Sequence, residues 1–218
     1  MVLDAYAQGL ADRIDSEYKA SGNNLGWRFL YSPARVLTDA RVAFIGMNPG
    51  GDFCPVDHTV FATDGGCAYE LENWGAPPGK SRLQKEVIEL FRWVGEQPID
   101  VLAGNLVPFR SKDWASLRNS AHALTFGKII WEQVLAKAQP KIVIVMGTPA
   151  RNALKEMLDV AETESLHINW GKVSGERGSF AGGTFIGLPH LSRFNIVTRA
   201  ASKEPLERLI GLEKPMSR

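Results

Sequence analysis

Three polar residues stand at the ends of apolar runs in this chain: Asn48 after residues 41–47, Asn105 within residues 99–107, and His190 just beyond residues 184–188. The chemistry open to such a set is narrow. Neither carboxamide is a useful proton acceptor, so the set is not built for strong general-base catalysis. A fixed carboxamide instead offers one acceptor and two donors in a plane, which matches the edge of a nucleobase. Each residue also has a plain structural account. Asparagine is a common turn residue, and a lone histidine is more often a hydrogen-bonded surface or core residue than a catalyst.

The elements that must position these side chains follow from the hydrophobic pattern. Residues 42–47 form a continuous apolar run, which suits a strand buried on both faces of a parallel sheet, and Asn48-Pro49-Gly50-Gly51 breaks it abruptly. Pro49 cannot donate to a ladder, while Gly50 and Gly51 let the backbone approach a ligand closely. Residues 101–107, 142–146 and 184–188 read as three further strands, with residues 167–183 as a Gly-rich hairpin region. Helical periodicity covers residues 4–19, 81–95, 114–138 in one or two pieces, 150–158 and 204–212, with Thr148 expected as a cap and Pro149 at the first helical position.

Alternation of strands and helices implies one α/β domain over residues 1–218, a three-layer α/β/α sandwich around a mostly parallel four-stranded sheet. In such a sheet the ends bearing Asn48, Asn105 and His190 share one edge, where ligands bind. Residues 49–79 hold no sustained period and contain Phe53, Phe61, Tyr69 and Trp74. So long an irregular stretch is expected to form a wall of a binding site.

Composition excludes several classes. With 218 residues, 44% hydrophobic and 22% charged, the chain can bury a full core. A net charge of +1 requires any nucleic-acid footprint to be local. Two cysteines, Cys54 and Cys67, are too few for a disulfide framework, a four-thiolate cluster or an all-cysteine zinc site. No basic start with an apolar core follows Met1, and no apolar run reaches the ~20 residues that span a bilayer. A cytoplasmic protein without membrane contact is expected.

Gly46-Met47-Asn48-Pro49-Gly50 resembles the first motif of the uracil-DNA glycosylase superfamily, in the form typical of its single-strand-selective monofunctional branch. His190-Leu191-Ser192-Arg193-Phe194-Asn195 is similar to the second motif, His-Pro-Ser-Pro-Arg-Asn, matching at His190, Ser192 and Asn195 and lacking both prolines. Asn105-Leu106-Val107-Pro108 resembles the strand end that reads uracil.

The resemblance implies a monofunctional DNA glycosylase that hydrolyses the N-glycosidic bond of uracil or another deaminated base, without metal or cofactor. Asn48 would position the water and His190 would donate to the base oxygen as charge develops. Gly46, Met47, Pro49, Asn105 and Ser192 would line the base site. Phe61, or in second place Phe53, would stack on the flipped base. Phe194 takes the position of the duplex-inserting residue. Arg193, Arg110 and Lys112, with Arg118 and Arg199, would contact phosphates of single- or double-stranded DNA; the oligomeric state is not readable from the sequence, a monomer being favoured. Two alternatives stay open: a nucleic-acid or nucleotide-binding protein of the same fold without glycosylase activity, and a phosphate-ester enzyme using Gly50-Gly51 and the Thr148-capped helix as an anion site.

Overall fold

The computed structural model describes residues 3–55 and 59–211. Helix α1 (Ala5–Ser21) is started by the Asp4 carboxylate, which accepts from the Ala7 amide at 2.8 Å, and is stopped by Gly22 at φ 71°. Strand β1 (Trp27–Arg28) follows, then β2 (Val42–Gly46), β3 (Thr59–Val60), α2 (Ala68–Leu71) and α3 (Arg82–Trp93). A reciprocal pair of bonds between Ser81 and Gln84 opens α3. Then come β4 (Leu102–Asn105), α4 (Ser120–Ala138), β5 (Ile142–Met146), α5 (Thr148–Met157), β6 (Thr163–Trp170), β7 (Val173–Phe180), β8 (Gly183–Leu188) and α6 (Ala200–Ile210).

The central sheet has the order β4-β2-β5-β8-β7-β6. β4, β2, β5 and β8 run parallel, whereas β7 and β6 are antiparallel additions. The expectation of four strands is therefore corrected to six. The Gly-rich hairpin region at residues 167–183 is present as the antiparallel pair β6 and β7, turning at Gly171, and the glycines inside β7 stand where other chain segments lie too close for a side chain. A Cβ on Gly175 would meet Leu209 of α6 at 2.4 Å, and one on Gly178 would meet the Glu162 carbonyl at 2.7 Å.

β2 is buried along its whole length, as its unbroken apolar run requires. Val42 and Phe44 pack with residues of α2, α3 and α6, while Ala43 and Ile45 pack with residues of α1, α4 and α5. Alternate residues of β2 thus belong to two separate cores, each containing residues of helices. Two local expectations change. The stretch 49–79 carries β3 and α2, and α2 adds Tyr69 to the aromatic set with Phe44 and Phe91. Residues 114–138, read as helical in one or two pieces, form two: a single 3-10 turn and α4. Helix α5 begins at Thr148 itself with Gly147 as its cap at φ 88°, and the Thr148 hydroxyl makes no capping bond. No described helix is long and apolar enough to cross a membrane.

Candidate active site

The carboxyl ends of β2, β4, β5 and β8 lie on one edge of the sheet, and Asn48, Asn105 and His190 all sit there. Gly46 and Asn105 are register partners. Beyond the sheet the two chains stay zipped, with the Leu106 and Val107 amides donating to the Gly46 and Met47 carbonyls and Ser111 donating to Pro49. Asn48 therefore has neighbours from a segment some sixty residues on.

Those neighbours decide which end of its carboxamide is free. Asn48 Nδ2 lies 2.8 Å from Ser111 Oγ and 3.3 Å from both the Phe109 and Pro49 carbonyl oxygens. Ser111 Oγ spends its own proton on the Asp113 carbonyl at 2.7 Å, so toward Asn48 it can only accept. Three acceptors thus surround the position taken by Nδ2, and the amide orientation follows from them. Oδ1 is left as an acceptor with no donor among the described residues.

His190 is polarised in the opposite sense. The Ser192 backbone amide points at Nδ1 from 3.3 Å and Ser192 Oγ is 2.8 Å away. A backbone N–H can only donate, so Nδ1 is the acceptor and Nε2 carries the proton in the neutral ring. Burial, and then the cation of Arg193, hold the His190 pKa below the ordinary histidine value. The ring thus takes up its proton at a lower pH than an ordinary histidine does. Arg193→Ala removes the second cause alone, so the His190 pKa should rise yet remain under about 6.5. A titration of the ring signals by NMR checks this; an unmoved pKa would show that Arg193 does not face the ring.

Between these two residues β5 is followed by Gly147, and a Cβ there would come 3.4 Å from His190 Cδ2 at a φ that L-residues rarely adopt. Strand spacing of about 4.8 Å puts the ends of β2 and β8 roughly 10 Å apart.

Asn105 is buried, at 3% exposure, and held at every polar atom of its backbone. Its amide donates to the Phe29 carbonyl at 3.1 Å and its carbonyl accepts from Trp131 Nε1 at 2.7 Å. Its side chain donates from Nδ2 to the Tyr31 hydroxyl at 3.0 Å. Oδ1 lies 3.1 Å from where a Gly46 Cβ would be, so only glycine leaves the carboxamide its place.

A family model for the uracil DNA glycosylase superfamily matches residues 34–210. The chain belongs to that superfamily. Membership suggests a glycosylase acting on DNA. No curated protein matches the chain.

Other superfamily-derived positions are placed as follows. Phe61 is buried and packs on Phe29 with ring centroids 5.6 Å apart, whereas Phe53 is 68% exposed. Phe194 is half-buried, edge-on to Trp170 at 6.3 Å, so the exposed part of the second-motif loop is Ser192 and Arg193. Arg110 reaches back to the Gly50 carbonyl at 2.5 Å, and Lys112 is exposed. Arg118 bonds the Gly22 carbonyl, beside the end of α1, and Arg199 lies over the Trp170 ring at 4.9 Å.

Several site residues carry no sequence signal. Tyr31 and Ser111 fall outside both motifs. The two missing prolines of the second motif are offset by α3: Arg82 Nη2 donates to the Arg193 carbonyl and to Asn195 Oδ1, and the buried Glu86 carboxylate accepts from the Val197 and Thr198 amides. Arg82 and Glu86 are four residues apart and share one helix face. That spacing on α3 was the available clue. Among the described residues no group of three or more His, Cys, Asp or Glu side chains could hold a metal.

Proposed function

We propose that this chain is a monofunctional DNA glycosylase that hydrolyses the N-glycosidic bond of uracil or another deaminated base. One observation carries the reading: on one sheet edge, Asn48 presents an acceptor whose partners forbid it to donate, and His190 presents a donor whose partner forbids it to accept. That pairing of polarity is what hydrolysis through an oxocarbenium-like sugar and an anionic base requires.

In the reaction the bond from C1′ to the base nitrogen breaks and its electron pair leaves with the base. Asn48 Oδ1 accepts a hydrogen bond from a water and aligns its oxygen with C1′. No carboxylate activates that water, so the bond to the base is largely broken before the water adds, and the water's surplus proton passes to solvent. His190 Nε2–H donates to the base oxygen on which negative charge gathers. The base departs as an anion, takes up a proton and is released, leaving an abasic sugar.

Asn105 reads the edge of the flipped base beside Gly46, Met47 and Pro49. Phe61 stacks on it, supported by its packing on Phe29, whose carbonyl holds the Asn105 amide. Ser192 sets the His190 tautomer. Arg193, Arg110 and Lys112 meet phosphates, and Phe194 with Trp170 lies beside the opened strand. The two cores on opposite faces of the sheet support a three-layer α/β/α arrangement in a single domain.

The test is single-turnover excision from oligonucleotides bearing uracil, hypoxanthine, xanthine or an oxidised pyrimidine, in single and double strands. Release of at least one deaminated base with EDTA present is expected. Tight binding to uracil-containing DNA with every base left in place would overturn catalysis and leave a binding module.

A further inference from the structure

The two asparagines of the site are held in different ways, and the difference bears on which bases can be read. Asn48 is surrounded by groups that can only accept from its side chain, so its amide cannot turn over. Asn105 has one polar side-chain partner among the described residues, and that partner is a hydroxyl, Tyr31 Oη, at 3.0 Å. A phenol both donates and accepts. No acceptor for the Tyr31 proton occurs among the described residues, so nothing there dictates its direction.

Tyr31 itself is firmly placed. Its amide donates to the Ala103 carbonyl and its carbonyl accepts from Ala68. Its ring contacts Tyr69 at 5.0 Å and Trp74 at 5.7 Å. The Arg28 guanidinium lies 4.6 Å from its centroid and is clamped by the Glu72 carboxylate through bonds of 2.8 and 2.7 Å. The hydroxyl is therefore a fixed oxygen with a turnable proton.

We propose that Tyr31 is a specificity-determining positioning residue that supports the Asn105 carboxamide in both of its orientations. In one, Nδ2 gives one hydrogen to Tyr31, while its other hydrogen and Oδ1 face the base; this suits the N–H and C=O edge of uracil. In the other, rotated by half a turn, Tyr31 donates to Oδ1, and the base meets the reversed pattern, which suits the N and NH2 edge of cytosine. Edge recognition then admits both pyrimidines to the site. Discrimination falls on the leaving step, because cytosine, with an amine where uracil has a second carbonyl, carries the departing negative charge less well. This rests on the reading of the site as a base pocket, and it places selectivity in kcat rather than in binding.

The experiment measures affinity for single-stranded oligonucleotides carrying one 2′-fluoro-2′-deoxyuridine or one 2′-fluoro-2′-deoxycytidine, whose fluorine blocks cleavage without altering the base edge. It uses the wild type, Tyr31→Phe, Asn105→Ala and the double variant. Expected are wild-type affinities for the two strands within about tenfold, a loss of about tenfold for both strands in Tyr31→Phe, and no further loss when Tyr31→Phe is added to Asn105→Ala. A uracil preference above about a hundredfold would show a locked carboxamide and overturn the proposal. So would an equal Tyr31→Phe loss with and without Asn105, which is what a merely structural role gives, or no loss at all in either single variant. Uracil excision by the wild type, measured in parallel, separates these failures from failure of the glycosylase reading, which would show neither excision nor uracil-dependent binding.

Discussion

Replacing Asn48 or His190 by alanine should slow single-turnover uracil excision by about two to three orders of magnitude while DNA affinity stays within about threefold. Both groups act on charge or geometry that exists only in the transition state, so the ground state has little to lose. The structure adds a finer expectation. Asn48→Asp puts a carboxylate against Ser111 Oγ and the Phe109 and Pro49 carbonyls, where three acceptors already point inward. Like-charged oxygens then repel it, so aspartate should not rescue the alanine loss fully, although it is the better base in isolation. Rapid-quench rates with affinities measured on the same strands decide this. Parallel losses of rate and affinity would place Asn48 and His190 in DNA binding.

Gly127→Ala should cost about 3 kcal/mol of stability, lowering Tm by roughly 6–12 °C for a chain of this size. A Cβ at Gly127 would stand 2.2 Å from the Leu106 carbonyl oxygen and 3.0 Å from its carbon. Both are backbone atoms, so no rotamer change relieves the clash and α4 must back away. One turn further along α4, Trp131 sends its indole N–H to the Asn105 carbonyl, a bond that a displaced helix cannot keep. Its loss strands a buried donor and adds to the cost of overpacking, against about 1 kcal/mol that alanine returns through helix propensity. Gly9 of α1 is the control, since nothing lies within 4 Å of a Cβ built there. Gly9→Ala should raise stability by up to about 1 kcal/mol. Equal melting of the Gly127 variant and the wild type would disprove the close approach of α4 to the end of β4.

Much of the site was legible in the linear chain because it is built from strand ends. A buried parallel strand needs a continuous apolar run, and its end must be marked by residues that stop the ladder, so Asn48 and His190 announce themselves by position. Asn105 does so less sharply, since β4 stops at Asn105 while the apolar run continues through Val107. Burial keeps the run apolar there, and the Leu106 and Val107 amides still bond to the Gly46 and Met47 carbonyls beyond the strand's end.

β6 and β7 were legible as a Gly-rich hairpin region but not as strands of the central sheet, for a related reason. β6 lies at an edge with only Ile168 fully buried, and the glycines of β7 answer to α6 and to the chain before β6, neighbours that no local pattern encodes. The same holds for Thr148, whose apparent capping role passed to Gly147 because only glycine takes its left-handed φ readily.

By itself the sequence determined the order of parallel strands and helices, the apolar faces, and the three polar types delivered to one edge. These depend on periodicity and on backbone rules that act over a few residues. Tertiary structure alone decided what each polar group can do. Ser111 makes Asn48 an acceptor, Ser192 makes His190 a donor at Nε2, Tyr31 leaves Asn105 able to be either, and Arg82 and Glu86 stiffen a loop that lacks its prolines. A carboxamide or an imidazole acquires a direction only from the partners that occupy its other atoms. Except for Ser192, two residues from His190, and Pro49, next to Asn48, those partners come from segments more than sixty residues away.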